Sequence, residues 1–138
     1  MTESALQTAI YSKLVADTDI DALAQGIYSD PPQASDSGAT TPFPYVAIGD
    51  DAVNTWDTKS VFGQNALCTV NVYSRAQSKL EVKNLGALVR ACLHHQPLSI
   101  TGVTHTMTVV ESATYSKEPD GATQRGVLLV RVYYQEDA

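Results

Sequence analysis

Three histidines are the side chains in this sequence best suited to bind a metal or carry protons. His94 and His95 are adjacent near the end of a predicted helix, and His105 follows shortly after. A structural zinc site needs about four ligands that converge on the ion, whereas adjacent side chains at a helix end point in different directions. We therefore expect no metal here, and we interpret the two adjacent histidines as favourable cations at the negative end of the helix dipole.

Two groups of aspartates have the residue type of a cation site or an acid pair. Asp17, Asp19 and Asp21 alternate like the first ligands of a calcium-binding loop, but the glycine and glutamate that such a loop needs further on are missing. Asp50 and Asp51 are neighbours on a predicted strand, so their side chains face opposite sides and do not converge. We expect them to be solvated carboxylates at the end of that strand.

The two cysteines, Cys68 and Cys92, lie inside apolar periodic segments. We expect both to be reduced and buried, because the chain has the features of a cytosolic protein, in which disulfides are rare. A catalytic pair of Cys92 and His95 stays open, although a thiolate is costly on the apolar stripe of a helix. The sequence has neither a phosphate-binding glycine loop nor a Gly-x-Ser-x-Gly elbow. We therefore predict no enzyme and no cofactor.

Composition limits the remaining classes of function. The chain has 138 residues, which fits a single domain over residues 1–138, and its net charge is -6 with only 9 scattered lysines and arginines. Specific binding to nucleic-acid phosphates is therefore not expected. No apolar run is long enough to span a membrane, and the first residues lack the basic start of a signal peptide. The low charged content, 17%, suggests that partners cover part of the surface.

Hydrophobic periodicity and turn residues predict the order of elements. The order is a helix, a long loop, two strands, a second helix and two more strands. The helices are predicted at residues 3–16 and 78–94, with a short helical piece after 17 and a brief strand at 27–29; the strands are predicted at 45–51, 65–75, 103–114 and 125–134. Ser78 and Glu81 have the spacing of a capping box. This order predicts an α+β fold with an antiparallel or mixed β-sheet and two main helices packed on one face.

The stretch "PFPYVAIGDD", residues 42–51, fixes the chain where the long loop meets the first long strand. Pro42 and Pro44 hold φ near −65° and restrict the residues before them. They therefore deliver Phe43 and Tyr45 in fixed directions. The simplest interpretation is a rigid strand entry with Phe43 as a core plug.

Several segments in order make the sequence resemble a known family. They are "ALQTAIYSKLVAD", "FPYVAIGDD", "WDTK", "VNVYSR", "VRACLHHQPL" and "EPDGATQRGVLLVRV". With this order and spacing, the chain is similar to the tail completion, or tail terminator, proteins of long-tailed bacteriophages and gene transfer agents. The resemblance covers residues 4 to 134. The loop around 33–41 is longer than is usual in the family, which affects any contact assigned to it.

The resemblance implies a structural virion assembly protein. Such a protein would form a ring, expected to be a hexamer, that caps the tail tube and forms the tail side of the head–tail junction. Its partners would be other copies of the chain, the major tail tube protein and the head–tail connector or stopper protein, while DNA passes through the lumen without specific binding. The alternative is a head-side connector, stopper or adaptor of the same junction. A small-molecule-binding module or enzyme would need a concave pocket with converging polar groups.

The ring would need interface elements, and the polar segments 29–44 and 50–63 are the predicted ones. Each carries an isolated large aromatic residue, Phe43 or Trp56, which is typical of an interface anchor unless the side chain is tucked into the core of the subunit. We expect these segments to be mobile in the free subunit and to make contacts in the ring. The expected interface residues are Phe43, Tyr45, Asp50, Asp51, Trp56, Lys59 and Phe62.

Overall fold

The computed structural model of the protein describes residues 2–28, 44–55, 63–75, 78–98, 100, 103–119, 121 and 123–136. Its helices are α1 (Thr2–Val15), α2 (Thr18–Leu23) and α3 (Leu80–Leu93), and its strands are β1 (Ile27–Tyr28), β2 (Tyr45–Thr55), β3 (Gly63–Ser74), β4 (Val103–Lys117) and β5 (Gln124–Glu136). None of the helices in the described part of the chain has both the length and the apolar character needed to cross a membrane.

The strands form one mixed sheet in the order β1-β2-β3-β5-β4. β1 runs parallel to β2, and the three other pairs are antiparallel. The strand β5 lies inside the sheet between β3 and β4, which explains why its sequence is apolar from Gly126 to Val130 and again from Val132 to Tyr134. The predicted α+β class with a mixed sheet is confirmed.

The helices cover one face of the sheet, which we call the helix face. α3 contacts β3, β4 and β5, and α1 packs beside α3. The helix predicted at 78–94 is present as α3, and it has an apolar stripe in which Val82, Leu85, Val89 and Cys92 are buried and Leu88 is partly buried. Alternation along β3 brings Ala66, Cys68, Val70 and Val72 to the same core. Burial of these side chains is the main contribution to the stability of the fold.

The start of α3 differs from the predicted capping box. Lys79 is the N-cap residue and makes no side-chain capping bond. The Ser78 hydroxyl accepts a hydrogen bond from the Leu80 amide at 3.3 Å, in a local serine turn. Glu81 accepts a hydrogen bond from the Ser74 hydroxyl at 2.6 Å instead of reaching back to Ser78. The capping-box prediction is wrong because the buried end of β3 offers Glu81 a closer donor.

The polar segment predicted at 50–63 is also partly wrong. β2 continues to Thr55 and pairs with β3, with Asn54 opposite Asn65. Asp50 and Asp51 therefore lie in the middle of a strand and not at its end. A β-bulge between Ile48 and Asp51 shifts the side-chain alternation by one residue. A strict alternation of apolar and polar residues therefore does not continue into the second half of the strand.

The short helix α2 shows why the acidic cluster before it is present. Asp17 is its N-cap residue, and its carboxylate accepts hydrogen bonds from the amides of Asp19 and Ile20 at 2.9 and 3.0 Å. Asp19 and Asp21 occupy the first turn, where negative charge is favourable. The predicted capped turn into a second helical piece is confirmed.

Candidate interaction surface

The sheet face opposite the helices is its open face, since none of the helices described packs on it. Tyr28, Tyr45 and Tyr73 form a row across the first three strands of this face. The rings of Tyr45 and Tyr73 stack with centroids 4.9 Å apart, and Tyr28 meets Tyr45 edge-on at 5.7 Å. All three are only partly buried. A row of half-buried tyrosines has the large area and low entropy cost of an interface anchor.

The environment of Tyr45, in the middle of the row, favours its neutral phenol. Burial raises the pKa of Tyr45, and the neighbouring Tyr73 adds to this effect. Arg75 lowers the same pKa by a smaller amount, which places a guanidinium near the row. Tyrosine and arginine are, with tryptophan, the residue types most enriched at the energetic centres of protein interfaces.

The middle of the open face is apolar with a polar frame. Its half-buried apolar side chains are Leu67, Val109, Val127 and Leu129, with Met107 more exposed. Arg131 crosses the face and donates hydrogen bonds to Glu111 at 3.0 Å and to Asn65. Arg125 donates to Asn71 at 3.3 Å and pairs with Glu118 at 3.6 Å. These arginines are therefore held in place before any partner arrives, which reduces the entropy cost of binding.

The interface residues predicted from the sequence are only partly within the described structure. Tyr45 lies in the tyrosine row. Asp51 is exposed on β2, opposite Cys68 of β3, and Asp50 belongs to the same strand. Tyr45 begins β2 and Asp51 lies near the middle of that strand. Phe43, Trp56, Lys59 and Phe62 lie outside the described residues.

The two adjacent histidines cover part of the outer edge of β4. The His95 amide donates to the carbonyl of Thr108 at 2.8 Å, and the His94 ring nitrogen Nδ1 accepts from the amide of Val110 at 3.0 Å. The two imidazoles stack with centroids 3.9 Å apart. The backbone of the turn has a positive φ of 58° at His95, a conformation that residues other than glycine adopt rarely.

The structure contradicts the interpretation of His94 as a cation. An imidazole that accepts through Nδ1 must be unprotonated at that nitrogen. Loss of solvent lowers the pKa of His94, with His95 and Arg90 adding to the effect. Burial also lowers the pKa of His105, whose Nε2 lies 2.6 Å from the Thr108 hydroxyl. The hydrogen bond from the Val110 amide of β4 requires a neutral His94. This requirement outweighs the favourable interaction of a charged histidine with the helix dipole.

The cysteines are buried, as predicted, and both are free thiols. Burial raises the pKa of Cys68 to about 12 and that of Cys92 to about 11. The Cys92 thiol donates to the carbonyl of Lys13 at 3.4 Å, so the residue is a packed core group and not an activated nucleophile. Within the described ranges, no group of three or more His, Cys, Asp or Glu side chains could hold a metal ion.

Sequence reasoning missed Tyr28 and Tyr73. Tyr73 lies in the strand predicted at 65–75, on the face opposite Ala66 and Val70, so the alternation along that strand already carried the signal. The position of Tyr28 depends on the parallel pairing of β1 with β2, which brings together residues from either side of a long loop. The local sequence pattern around Tyr28 therefore does not predict its contact with Tyr45.

Comparison with known proteins gives consistent results. A family model described as tail completion protein gp17 matches residues 8–135. The tail completion protein gp17 of Bacillus phage SPP1 is 31% identical over 94 residues, which cover 68% of this chain and 69% of that protein. The solved structure of bacteriophage SPP1 gp17 protein superposes with a TM-score of 0.61 at 25% identity, over 94% of this chain and 88% of that one.

A second solved structure shares the fold more closely. A chain in the virion of a native gene transfer agent particle superposes with a TM-score of 0.84, covering 97% of both chains. Its sequence identity is 22%, so this likeness concerns the fold alone.

Proposed function

The chain belongs to the tail completion protein gp17 family, and we propose that it caps the phage tail tube as a ring and forms the tail side of the head–tail junction. Membership makes it a structural protein of tail assembly. The observation that carries the proposal is the family match over residues 8–135, which includes β1 to β4 and all of β5 except its last residue. The buried, protonated cysteines and the acceptor role of His94 give no support to an enzymatic alternative.

The partners follow from this role. Copies of the chain form a closed ring, expected to be a hexamer, with the major tail tube protein on one side and the head–tail connector or stopper protein on the other. The subunit reaches the virion tail after assembly in the host cytoplasm. A net charge of -6 suits a lumen through which DNA slides, because like charges repel the phosphates and disfavour specific binding.

The interface residues of the proposed ring combine the described surface with the adjoining segments. Tyr45 contributes through the tyrosine row, and Asp51 through the exposed middle of β2. We propose the remaining contacts from the residue types alone: Phe43, Asp50, Trp56, Lys59 and Phe62. Aromatic anchors bring a large contact area at a small entropy cost, and their rigid neighbours in β2 limit the ordering that binding requires.

A tube elongation experiment tests the proposal. Tail tubes are grown from purified tube protein with and without the chain, and tube lengths are measured by electron microscopy. The proposed function predicts that adding the chain stops growth and leaves tubes that cannot be extended by fresh tube protein. Continued growth at saturating chain would contradict it.

The same preparation separates the tail side from the head side of the junction. The chain is sedimented with tube ends and, in parallel, with DNA-filled heads that carry no tail. The tail-side role predicts binding to the tubes in the absence of heads. Binding to heads but not to tubes would favour the head-side connector or stopper. A Tyr45→Ala variant that remains folded serves to locate the contact, since it removes the stacked ring of the tyrosine row.

A further inference from the structure

The outer edge of β4 has a protected half and an unprotected half. Exposed strand edges invite pairing with other chains, and proteins commonly block them with bulges, charges or covering segments. The first half of β4 has two bulges, at His105/Met107 and Val110/Ser112, and the His94–His95 turn bonds to its edge. From Ala113 to Lys117 the pairing with β5 is regular, and every side chain except Tyr115 is exposed.

The opposite edge of the sheet has a matching segment. β1 pairs with β2 only at Val46 and Ala47. After the bulge that follows Ile48, residues 51–55 run straight along β3, and Asp51, Ala52 and Asn54 are exposed. No other strand in the described ranges pairs with this part of β2.

The hydrogen bonds of each edge show which amides point outward. On β4, the Val110 amide points away from β5, because it donates to His94. Alternation past the bulge then directs the backbone groups of Ala113, Tyr115 and Lys117 outward. On β2, the Val46 amide donates outward to Gly26 at 3.0 Å. Alternation past that bulge directs residues 51, 53 and 55 outward in the same way.

The outward residues of both edges also share a face. Val53 lies opposite the fully buried Ala66 and packs against the core, so it is on the helix face. Tyr115 packs against the same core; a Cβ on Gly86 of α3 would contact its ring. Two strand edges can join in one continuous sheet only if their faces match in this manner.

We propose that residues 113–117 of β4 pair antiparallel with residues 51–55 of β2 in a second copy of the chain, with Lys117 opposite Asp51. This inference rests on the proposed ring. In this register Tyr115 lies beside Val53 on the helix face, and Ser116 lies beside Ala52 on the open face. Three hydrogen-bonded residue pairs give about six backbone bonds per contact. The contact joins two different edges, so it repeats from subunit to subunit and forms the proposed ring when the rotation between neighbours closes.

Charge supports this occupant and this direction. Lys117 and Asp51 have opposite charges, so the proposed register joins them across the contact, whereas a symmetric antiparallel pairing of residues 113–117 of two copies would place Lys117 opposite the uncharged Ala113. Opposite charges directly opposite each other on paired strands are stabilising. The β2 edge of a second copy therefore offers the β4 edge an ion pair that a second β4 edge does not.

Cysteine cross-linking tests the register. The full chain carrying Ala52→Cys and Ser116→Cys is incubated with tail tubes under mild oxidation and analysed on a non-reducing gel. These residues would form a non-hydrogen-bonded pair, whose Cα separation of about 4.5 Å allows a disulfide. Cys68 and Cys92 stay inert, because their pKa values of about 12 and about 11 keep them protonated. We expect a ladder of covalent multimers up to the full ring.

The control is the same chain with Ala52→Cys and Ser112→Cys. Ser112 is also exposed on β4, but it lies four residues away, or about 13 Å along the strand. This variant and both single variants should give no ladder beyond dimers. The pairing would be overturned, and the ring function left intact, if A52C/S116C formed rings at tube ends but no covalent ladder. The same conclusion would follow if A52C/S112C formed rings and gave an equal ladder. A ladder on a chain that never caps tubes would support the pairing and overturn the function. Absence of both rings and ladder would overturn both.

A charge swap gives an independent measure. Lys117→Asp or Asp51→Lys alone should weaken each contact by about two- to fivefold, the range of an exposed ion pair. The double variant K117D/D51K should restore assembly, because the opposite charges meet again with their places exchanged. If the double variant weakens assembly by the sum of the two single effects, the proposed register is contradicted. The melting temperature of the subunit shows whether each variant remains folded.

Discussion

Gly126 is the position where one added methyl group should reveal how tightly the sheet and α3 are packed. It is a buried residue of β5, with neighbours on both sides in the sheet. A Cβ at this position would lie 2.6 Å from Cγ2 of Val72 and 2.8 Å from Cε1 of Tyr115. Both distances are far below an ordinary contact between carbon atoms. We therefore predict that Gly126→Ala destabilises the protein.

Two opposing terms set the magnitude. Overpacking a filled core costs about 1–3 kcal/mol, and Val72 has little room to move because it is fully buried. Against this, replacing a strand glycine by alanine recovers about 0.5–1 kcal/mol of chain entropy. The packing term is larger, so the free energy of unfolding should fall by about 1–2 kcal/mol, and the melting temperature by roughly 3–10 °C.

The assay is urea unfolding of the subunit with a double-mutant cycle. Val72→Ala alone should cost about 2 kcal/mol or more through lost methyl groups and a cavity. In G126A/V72A the new methyl group occupies part of the vacated space. The double variant should therefore be less destabilised than the sum of the single variants by about 1 kcal/mol.

Gly121→Ala is the matched control. Gly121 has a φ of 75°, and a Cβ there would have no atom within 4 Å. Its substitution should cost stability through backbone strain and should add to V72A without coupling. A stabilising Gly126→Ala, or equal coupling at both glycines, would refute the packing described for Val72 and Tyr115.

Three further predictions concern the histidine turn, the cysteines and the tryptophan. His94 accepts the hydrogen bond from the Val110 amide only when it is neutral, and its pKa is lowered. The stability of the protein should therefore fall as the pH drops from about 7 through the usual histidine range. His94→Asn keeps an acceptor but does not titrate, so it should flatten this pH dependence in thermal melts, and an unchanged slope would contradict the assignment. Cys68 and Cys92 should resist alkylation at pH 7 in the native protein and react after unfolding, as measured by mass spectrometry; rapid native labelling would show that either thiol is accessible. Trp56→Ala should leave the monomer folded and weaken ring formation, whereas an early melt, with a loss of roughly 3–5 kcal/mol, would assign the side chain to the core.

The parts of the fold that were predicted are those in which side-chain period and burial agree. The alternation of β3 and the apolar run of β5 exist because both strands are interior and bury side chains against α3. The stripe of α3 is clear for the same reason. In each case the local pattern records the tertiary environment directly.

The errors arise where the tertiary structure competes with the local rule. The second half of β2 was predicted as loop, because a bulge shifts its alternation and because an edge strand needs fewer apolar residues. Glu81 leaves its capping role because the Ser74 hydroxyl is nearby. His94 gives up a favourable charge to satisfy the amide of Val110. Val110 lies 16 residues from His94 in the sequence, and Ser74 lies 7 residues from Glu81. Neither contact can therefore be predicted from the local sequence pattern.

The candidate surface was predictable only in part. Tyr45 was identified from the prolines that fix its strand, and Asp51 lies in the segment 50–63 that was predicted to make contacts. The tyrosine row and the two matching sheet edges depend on the strand order β1-β2-β3-β5-β4. That order brings residues from distant segments together, and no local periodicity encodes it.

Electron microscopy of tail tubes grown with an excess of the chain tests the central claim most directly. The proposed function predicts a closed ring of this chain on one end of every tube and nowhere along its length. The map should show each ring subunit pairing its β4 edge with β2 of its neighbour. Bare tube ends in the presence of saturating chain, or rings found only on heads, would contradict the assignment as a tail cap.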